Sequence, residues 1–251
     1  MFTSCTAGRY LSLHYKIIII PKTLYLIPTI ISEHSLSSIN SDTINAIHRL
    51  SHFVVERART ARRYIKSTNP PYQISELTIV EIDKNGSEHI PELESLFKSS
   101  KDIGLISESG MPAVADPGSD IVMLAHKVGY NVRPLAGPSS IILSLAASGL
   151  NGNAFAFHGY LPIKDNELRK KLQQLESDIQ KKDQTQIFIE TPYRNNRLLK
   201  NLLNSIRNKN ILLCIASDIS GKNENIKTKS LRKWANLEEL PKVPTIFLLG
   251  R

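Results

Sequence analysis

The segment Ser107-Glu108-Ser109-Gly110-Met111-Pro112-Ala113-Val114-Ala115-Asp116-Pro117-Gly118 follows the apolar run Ile103-Gly104-Leu105-Ile106 and leads into a stretch of helical periodicity. An apolar run that stops abruptly at a serine and an acid reads as a buried strand ending at a polar rim. The next helix is expected over residues 117–128, with Asp116 as N-cap, Pro117 at the first helical position and Gly129 as terminator. Strand, small-residue loop and helix form half of a βαβ unit, and in open parallel sheets ligands bind beyond the carboxyl ends of strands. The capping residues have an ordinary structural role. An acid and two serines at a strand end serve no core, so residues 107–110 read as a backbone-lined ligand pocket.

The same alternation extends in both directions. Upstream lie Leu24-Tyr25-Leu26-Ile27, then Phe53-Val54-Val55 leading into a helical stretch over 58–66, then a strand over 77–82 closed by the turn pair Asn85-Gly86. Ile90, Leu93, Leu96 and Phe97 mark one helical face. Downstream a strand over 132–135 is followed by a helix over 139–147, a strand at Phe155-Ala156-Phe157, a polar helix over 165–180 and a strand over 186–189. A helix over 195–207 and strands over 211–215 and 245–249 complete the chain. The pattern predicts an α/β protein of two α/β domains with mostly parallel sheets, residues 23–136 and 137–251. Residues 1–22 carry Arg9, Lys16 and Lys22 with no acid, and read as a loose N-terminal extension.

Of 251 residues, 41% are hydrophobic and 22% charged, which excludes a disordered or collagen-like chain. The two cysteines, Cys5 and Cys214, supply neither a disulfide framework nor a metal site, and Cys214 lies within an apolar run as a small buried hydrophobe. Apolar stretches are far shorter than the roughly 20 residues of a membrane-spanning helix, so no membrane partner and a cytoplasmic location are expected. No G-x-G-x-x-G follows a strand, no G-x-x-x-x-G-K-[ST] occurs, and the seven histidines form no H-E-x-x-H, so no metal is expected.

The net charge of +9 is unevenly spread. Residues 49–66 hold six basic side chains (Arg49, Arg57, Arg59, Arg62, Arg63, Lys66) against Glu56 alone, and residues 164–209 hold eleven against six acids. The intervening stretch 101–150 is nearly neutral, yet eight of the twelve glycines fall between residues 104 and 159. Glycine density of this kind marks backbone that something approaches closely, with Gly110 and Gly137 the positions singled out for a ligand. Leu135-Ala136-Gly137-Pro138-Ser139-Ser140 repeats the arrangement of strand end, glycine, proline and hydroxyls at the expected domain junction. Two such loops from adjoining domains would face one cleft. Basic flanks suit a polyanion such as RNA, although Lys170, Lys171, Lys181 and Lys182 also read as a solvated helix face.

Several segments occur together in the order of one family: Leu24-Tyr25-Leu26-Ile27-Pro28-Thr29, the loop 107–118, Pro134-Leu135-Ala136-Gly137-Pro138-Ser139-Ser140, Ala147-Ser148-Gly149-Leu150 and Gly159-Tyr160-Leu161-Pro162. The chain resembles the tetrapyrrole (corrin/porphyrin) methylase superfamily, in its branch of small-subunit ribosomal RNA methyltransferases I. Glu190-Thr191-Pro192-Tyr193-Arg194 is similar to that branch's E-S-P-H-R, and Glu56 and Arg59 to its E-D-T-R. The resemblance implies a class III methyltransferase fold, normally a homodimer, with S-adenosylmethionine in the interdomain cleft. It also implies transfer of a methyl group to a cytidine ribose 2′-hydroxyl in small-subunit ribosomal RNA. The cofactor contacts it implies are Ser107, Glu108, Ser109, Gly110 and Pro112 on the first loop, Asp116 and Gly118 at the next helix start, Gly137, Pro138, Ser139 and Ser140 at the junction, and Glu190, Thr191 and Pro192 from the second half, with the strand end Ala216-Ser217 beside them. Arg59, Arg62, Arg63 and Arg194 are candidates for RNA phosphates, and Glu108 and Glu190 for a proton acceptor, with no choice made between them.

Three segments depart from the pattern, and the last of them is a cluster the resemblance implies to face substrate. The family's P-T-P-[IL]-G-N reads Pro28-Thr29-Ile30-Ile31-Ser32 here, D-A-G-T-P reads Glu108-Ser109-Gly110-Met111-Pro112, and R-E-L-T-K is replaced by Ile215-Ala216-Ser217-Asp218-Ile219-Ser220. A methyltransferase for a tetrapyrrole or other small molecule, and a non-catalytic cofactor- or RNA-binding relative, are the alternative readings.

Overall fold

The computed structural model describes residues 22–33, 35–82, 91–99, 101–234 and 239–251. Cys5, the stretch 1–21, the turn at Asn85-Gly86 and Ile90 lie outside the described residues. The first sheet comprises β1 (Thr23–Ile27), β2 (His52–Val55), β3 (Thr78–Glu81), β4 (Ile103–Ile106) and β5 (Asn131–Pro134), in the order β3-β2-β4-β1-β5. All four pairings are parallel.

Side-chain alternation along these strands divides the core in two. Tyr25, Ile27, Phe53 and Val55 pack with α1 (Ser41–Arg49) and α2 (Ala58–Ser67). Leu24, Val54, Ile103 and Leu105 pack with α3 (Pro91–Lys98) and α4 (Ser119–Lys127) on the opposite face. The chain therefore leaves β1 toward one face and its neighbour β4 toward the other. That divergence opens a crevice at the carboxyl ends of adjacent strands, where α/β sheets hold their ligands.

The second sheet comprises β6 (Phe155–Tyr160), β7 (Thr185–Glu190), β8 (Leu212–Ser217), β9 (Asn225–Ser230) and β10 (Thr245–Gly250), in the order β6-β7-β10-β8-β9. Here the expectation of mostly parallel pairing does not hold: only β6 and β7 are parallel. The seven residues between β8 and β9 are too few for a crossover and make a hairpin, and β10 inserts antiparallel between β7 and β8. The lysine-bearing edge strand β9 was not legible as a strand, because Lys227 and Lys229 hide its alternation; charged edges are a common guard against strand pairing. Helix α5 (Ser140–Ser148) covers one face, and α6 (Asp165–Lys182), α7 (Asn195–Ser205) and α8 (Leu231–Trp234) the other. Cys214 is buried under α5, as its apolar run indicates.

Because β10 runs opposite to β7 and β8, its start lies beside their ends. Glu190 pairs with Thr245, Thr245 with Ser217, and Tyr160 with Ile189. The last residues of three strands and the first residue of a fourth thus form a single sheet edge.

Local details modify the expected helix starts. Helix α1 follows Asn40, whose side-chain oxygen accepts the Thr43 amide at 2.8 Å. The α4 cap is not Asp116: the helix begins at Ser119 behind Gly118, at φ 128°. Asp116 and Pro117 remain in a loop in which Gly110, Ala113, Ala115 and Gly118 all have positive φ. Two alanines in that region cost on the order of 1 kcal/mol each, so the loop is held in shape by what surrounds it. Gly129, at φ 81°, does end α4.

Gly137 has a packing reason. A Cβ there would fall 2.2 Å from two ring carbons of Pro28, so the proline and not a ligand occupies that space. The Thr29 amide donates to the Gly110 carbonyl at 2.9 Å, and the Asn40 side-chain amide donates to the Ala136 carbonyl at 2.9 Å. Three loops are thereby stacked at the crevice. Gly137→Val is expected to lower unfolding free energy by about 1–3 kcal/mol, the range for overpacking a tight contact, as read from urea denaturation. An unchanged midpoint would show that Pro28 yields freely.

Candidate active site

Two cavities meet at this crevice. One, of about 490 Å³, lies within the first domain between residues 29–33, helix α2 and the end of β4. The other, of about 350 Å³, lies between the two sheets and is lined by both halves of the chain. Ile31 and Ser109 border both.

The first cavity is built on α2. Its Tyr64 hydroxyl donates to the Pro28 carbonyl at 2.8 Å, fixing the loop after β1. Burial pushes the phenol well above its ordinary value and keeps it a donor. Glu108, directly after Ser107 at the end of β4, points one carboxylate oxygen, Oε2, toward α2: Thr60 donates to it at 3.3 Å and Arg57 lies 4.0 Å away. Thr29 Oγ1 and Ser107 Oγ, both from lining residues, are buried with no hydrogen-bond partner among the described residues. Buried polar groups are normally paired, so these two hydroxyls mark unused hydrogen-bonding capacity beside the cavity.

The second cavity combines apolar walls with polar ends. Ile31, Val114, Phe157, Ile219 and Ile246 contribute apolar surface, while Ser139 and Ser140 sit at the start of α5 and Asp116 and Asp218 supply carboxylates. Gly110, at φ 73°, brings its backbone to the cleft, and a Cβ there would lie 3.3 Å from the Pro138 carbonyl. Glu190 is 2% exposed and saturated: Arg194 pairs with it at 2.7 Å, and the Thr191 amide and hydroxyl donate to it at 2.6 and 3.2 Å.

Of the residues singled out for the cofactor, Ser109, Gly110, Asp116, Ser139, Ser140 and Glu190 line the interdomain cleft, and Ser107 and Glu108 line the neighbouring cavity. Pro112, Gly118, Gly137, Pro138, Thr191 and Pro192 line neither; they shape the loops behind. Of the arginines, Arg63 borders the first cavity, Arg59 and Arg62 are exposed on the same helix, and Arg194 is engaged by Glu190. Lys170, Lys181 and Lys182 are exposed, in keeping with the solvated-face reading of α6, whereas Lys171 is half-buried and contacts His158. Ala216 lines the cleft while Ser217 turns to Thr245. Sequence reasoning missed Phe157, Asp218, Pro244, Thr245 and Ile246 as lining residues. Their only shared signal is position at one sheet edge, which requires the direction of β10. No group of three or more His, Cys, Asp or Glu suited to a metal occurs among the described residues.

An open parallel sheet followed by a mixed sheet, with a cleft between their facing edges, defines a two-domain α/β ligand-binding protein of the class III methyltransferase architecture. The tetrapyrrole (corrin/porphyrin) methylase family profile matches residues 41–235, and the chain belongs to that family. Its similar proteins include the ribosomal RNA small subunit methyltransferase I of Vibrio cholerae, 32% identical over 72% of this chain and 59% of that protein. Those of Thermotoga maritima (28% identical; 71% of this chain, 78% of that one) and Bacillus subtilis (27%; 86% and 71%) are similar as well. The chain thus spans about three-fifths to three-quarters of the length of these relatives. A crystal structure of diphthine synthase shares the fold, with a TM-score of 0.63 at 14% identity over 91% of this chain and 89% of that one. Family membership implies a methyl donor.

Arg194→Ala is expected to destabilise the protein by about 2 kcal/mol, because it strands a buried carboxylate; the partial exposure of Arg194 keeps the loss below that of a fully buried pair. Urea denaturation of the variant checks this, and stability equal to that of the unmodified protein would show the pair to be dispensable.

Proposed function

We propose that the chain is an S-adenosylmethionine-dependent methyltransferase that methylates the 2′-hydroxyl of a cytidine ribose in small-subunit ribosomal RNA, acting in the cytoplasm as a homodimer. The observation that carries this reading is the pair of adjoining cavities: an interdomain cleft for the donor and, across Ser109 and Ile31, a cavity for the acceptor, flanked by the exposed arginines of α2. The names of the relatives support the RNA assignment.

The cleft fits the donor chemically. Free amides at the start of α5, where Ser139 makes no side-chain cap, suit a carboxylate; Asp116 and Asp218 suit an ammonium; the apolar walls suit an adenine ring. When bound, S-adenosylmethionine supplies an electrophilic methyl group on a sulfonium sulfur. The protein's part is to bind both partners, align them and exclude water. Residues 23–136 would carry the acceptor cavity and residues 137–251 the far wall of the cleft. A second copy is supported by the exposed apolar side chains of α4 and α5, Met123 (56% exposed), Ile142 and Leu143.

The test is transfer of radiolabelled methyl from S-adenosylmethionine to purified small ribosomal subunits, with calorimetry for donor binding. Label in RNA at a cytidine 2′-oxygen is the expected result. Label only in a porphyrin-type acceptor would replace the substrate, and donor binding without transfer to either would leave a binding protein. Replacing Arg59, Arg62 and Arg63 together by alanine should weaken RNA binding and reduce the slope of log affinity against log salt by about two, since each phosphate contact contributes roughly 0.7–0.9. An unchanged slope would remove α2 from the RNA-facing surface.

A further inference from the structure

We infer that Glu108 is the catalytic base, accepting the proton of the acceptor hydroxyl through its Oε1 atom, with Thr60 as its positioning residue. This rests on the methyltransferase reading above and adds to it the group that activates the acceptor. A ribose hydroxyl is a weak nucleophile at neutral pH, and a positioned proton acceptor is the usual remedy.

Five carboxylates line the two cavities: Glu33, Glu108, Asp116, Glu190 and Asp218. Glu190, the other candidate legible in the sequence, is excluded by its surroundings. It is buried, ion-paired with Arg194 and saturated by Thr191, so a proton could reach it only by breaking those contacts. Asp116 and Asp218 face the donor cleft, and Asp218 already accepts the Asn223 amide at 2.9 Å. Glu33 is exposed on the outer loop. Glu108 alone lies in the acceptor cavity directly beside Ser109, one of the two residues both cavities share.

Its geometry is that of a held, accessible base. The side chain is 31% exposed, and only Oε2 is engaged, by the Thr60 hydroxyl at 3.3 Å and more distantly by Arg57. Among the described residues none hydrogen-bonds Oε1, so that oxygen is available to a ligand. The strand end fixes the backbone of Glu108, and α2 fixes one oxygen of its carboxylate. The reaction balances simply: the acceptor oxygen forms a bond to the methyl carbon, the methyl carbon–sulfur bond breaks with its electron pair passing to sulfur, and the hydroxyl proton passes to Glu108.

The deciding experiment compares Glu108→Gln with the unmodified protein in single-turnover methyl transfer to small ribosomal subunits across pH, alongside calorimetric titration with S-adenosylmethionine. Gln keeps size and a hydrogen bond to Thr60 but cannot take up a proton. The expected result is donor affinity within about twofold and transfer slowed on the order of 10²–10⁴-fold, with a pH–rate profile that differs from that of the unmodified protein on its acid side. Thr60→Val should slow transfer by a smaller factor and shift the acid side of that profile without altering donor affinity. Transfer by Glu108→Gln within a few-fold of the unmodified protein overturns the inference. So does a loss of donor affinity that accounts for the loss of rate, because Glu108 would then serve the donor. If the unmodified protein binds the donor but methylates no acceptor, the functional reading itself fails, and this inference with it.

Discussion

The hydrogen bond from the Thr29 amide to the Gly110 carbonyl joins the two loops that leave adjacent strands β1 and β4 in opposite directions. Divergence is what opens a crevice in a parallel sheet, and divergence alone would leave its walls unsupported. Here the walls are tied across the gap by backbone. Pro28 fills the space that a side chain at Gly137 would need, and Tyr64 holds the carbonyl of Pro28 from below. Both cavities depend on this knot, because Ile31 and Ser109, which they share, lie beside it on the two loops.

Strand direction in the second sheet supplies the opposite wall. A wholly parallel sheet would place the start of β10 at the far end of the molecule. The antiparallel insertion of β10 instead brings Thr245 between Glu190 and Ser217. The edge facing the first domain is thereby assembled from residues far apart in the chain. Arg194 and Thr191 engage Glu190 at that edge, whereas Glu108, just after β4, stays partly exposed in the first cavity and faces the basic helix α2.

Much of the first domain was legible because its strands are short, apolar and bounded by polar loops, and because Gly129 and the Ser139 region punctuate helices in the usual way. The N-cap at Asp116 was misread for a definable reason. An Asp-Pro pair ahead of a helical stretch ordinarily starts the helix, but the positive-φ run from Gly110 to Gly118 uses those residues to extend the loop. Strand β9 escaped notice because Lys227, Thr228 and Lys229 resemble a surface loop until β8 provides their strand partner. Glycine density by itself did not reveal the packing at Gly137, where a proline more than a hundred residues away fills the space a side chain would need.

What the amino-acid sequence determined by itself is the set of local elements, the two α/β halves, the family and the loops at the strand ends, since each follows from short-range periodicity or from contiguous residues. Only the tertiary structure decided the mixed pairing of the second sheet, the residues that close the cleft, and which of two glutamates keeps a partly exposed carboxylate. Those outcomes depend on strand direction and on how side chains pack: Glu190 is engaged by its near neighbour Arg194, whereas Thr60, distant in the chain, donates to one oxygen of Glu108. A charge becomes chemistry or ballast according to what packs against it, and that is settled when the chain folds.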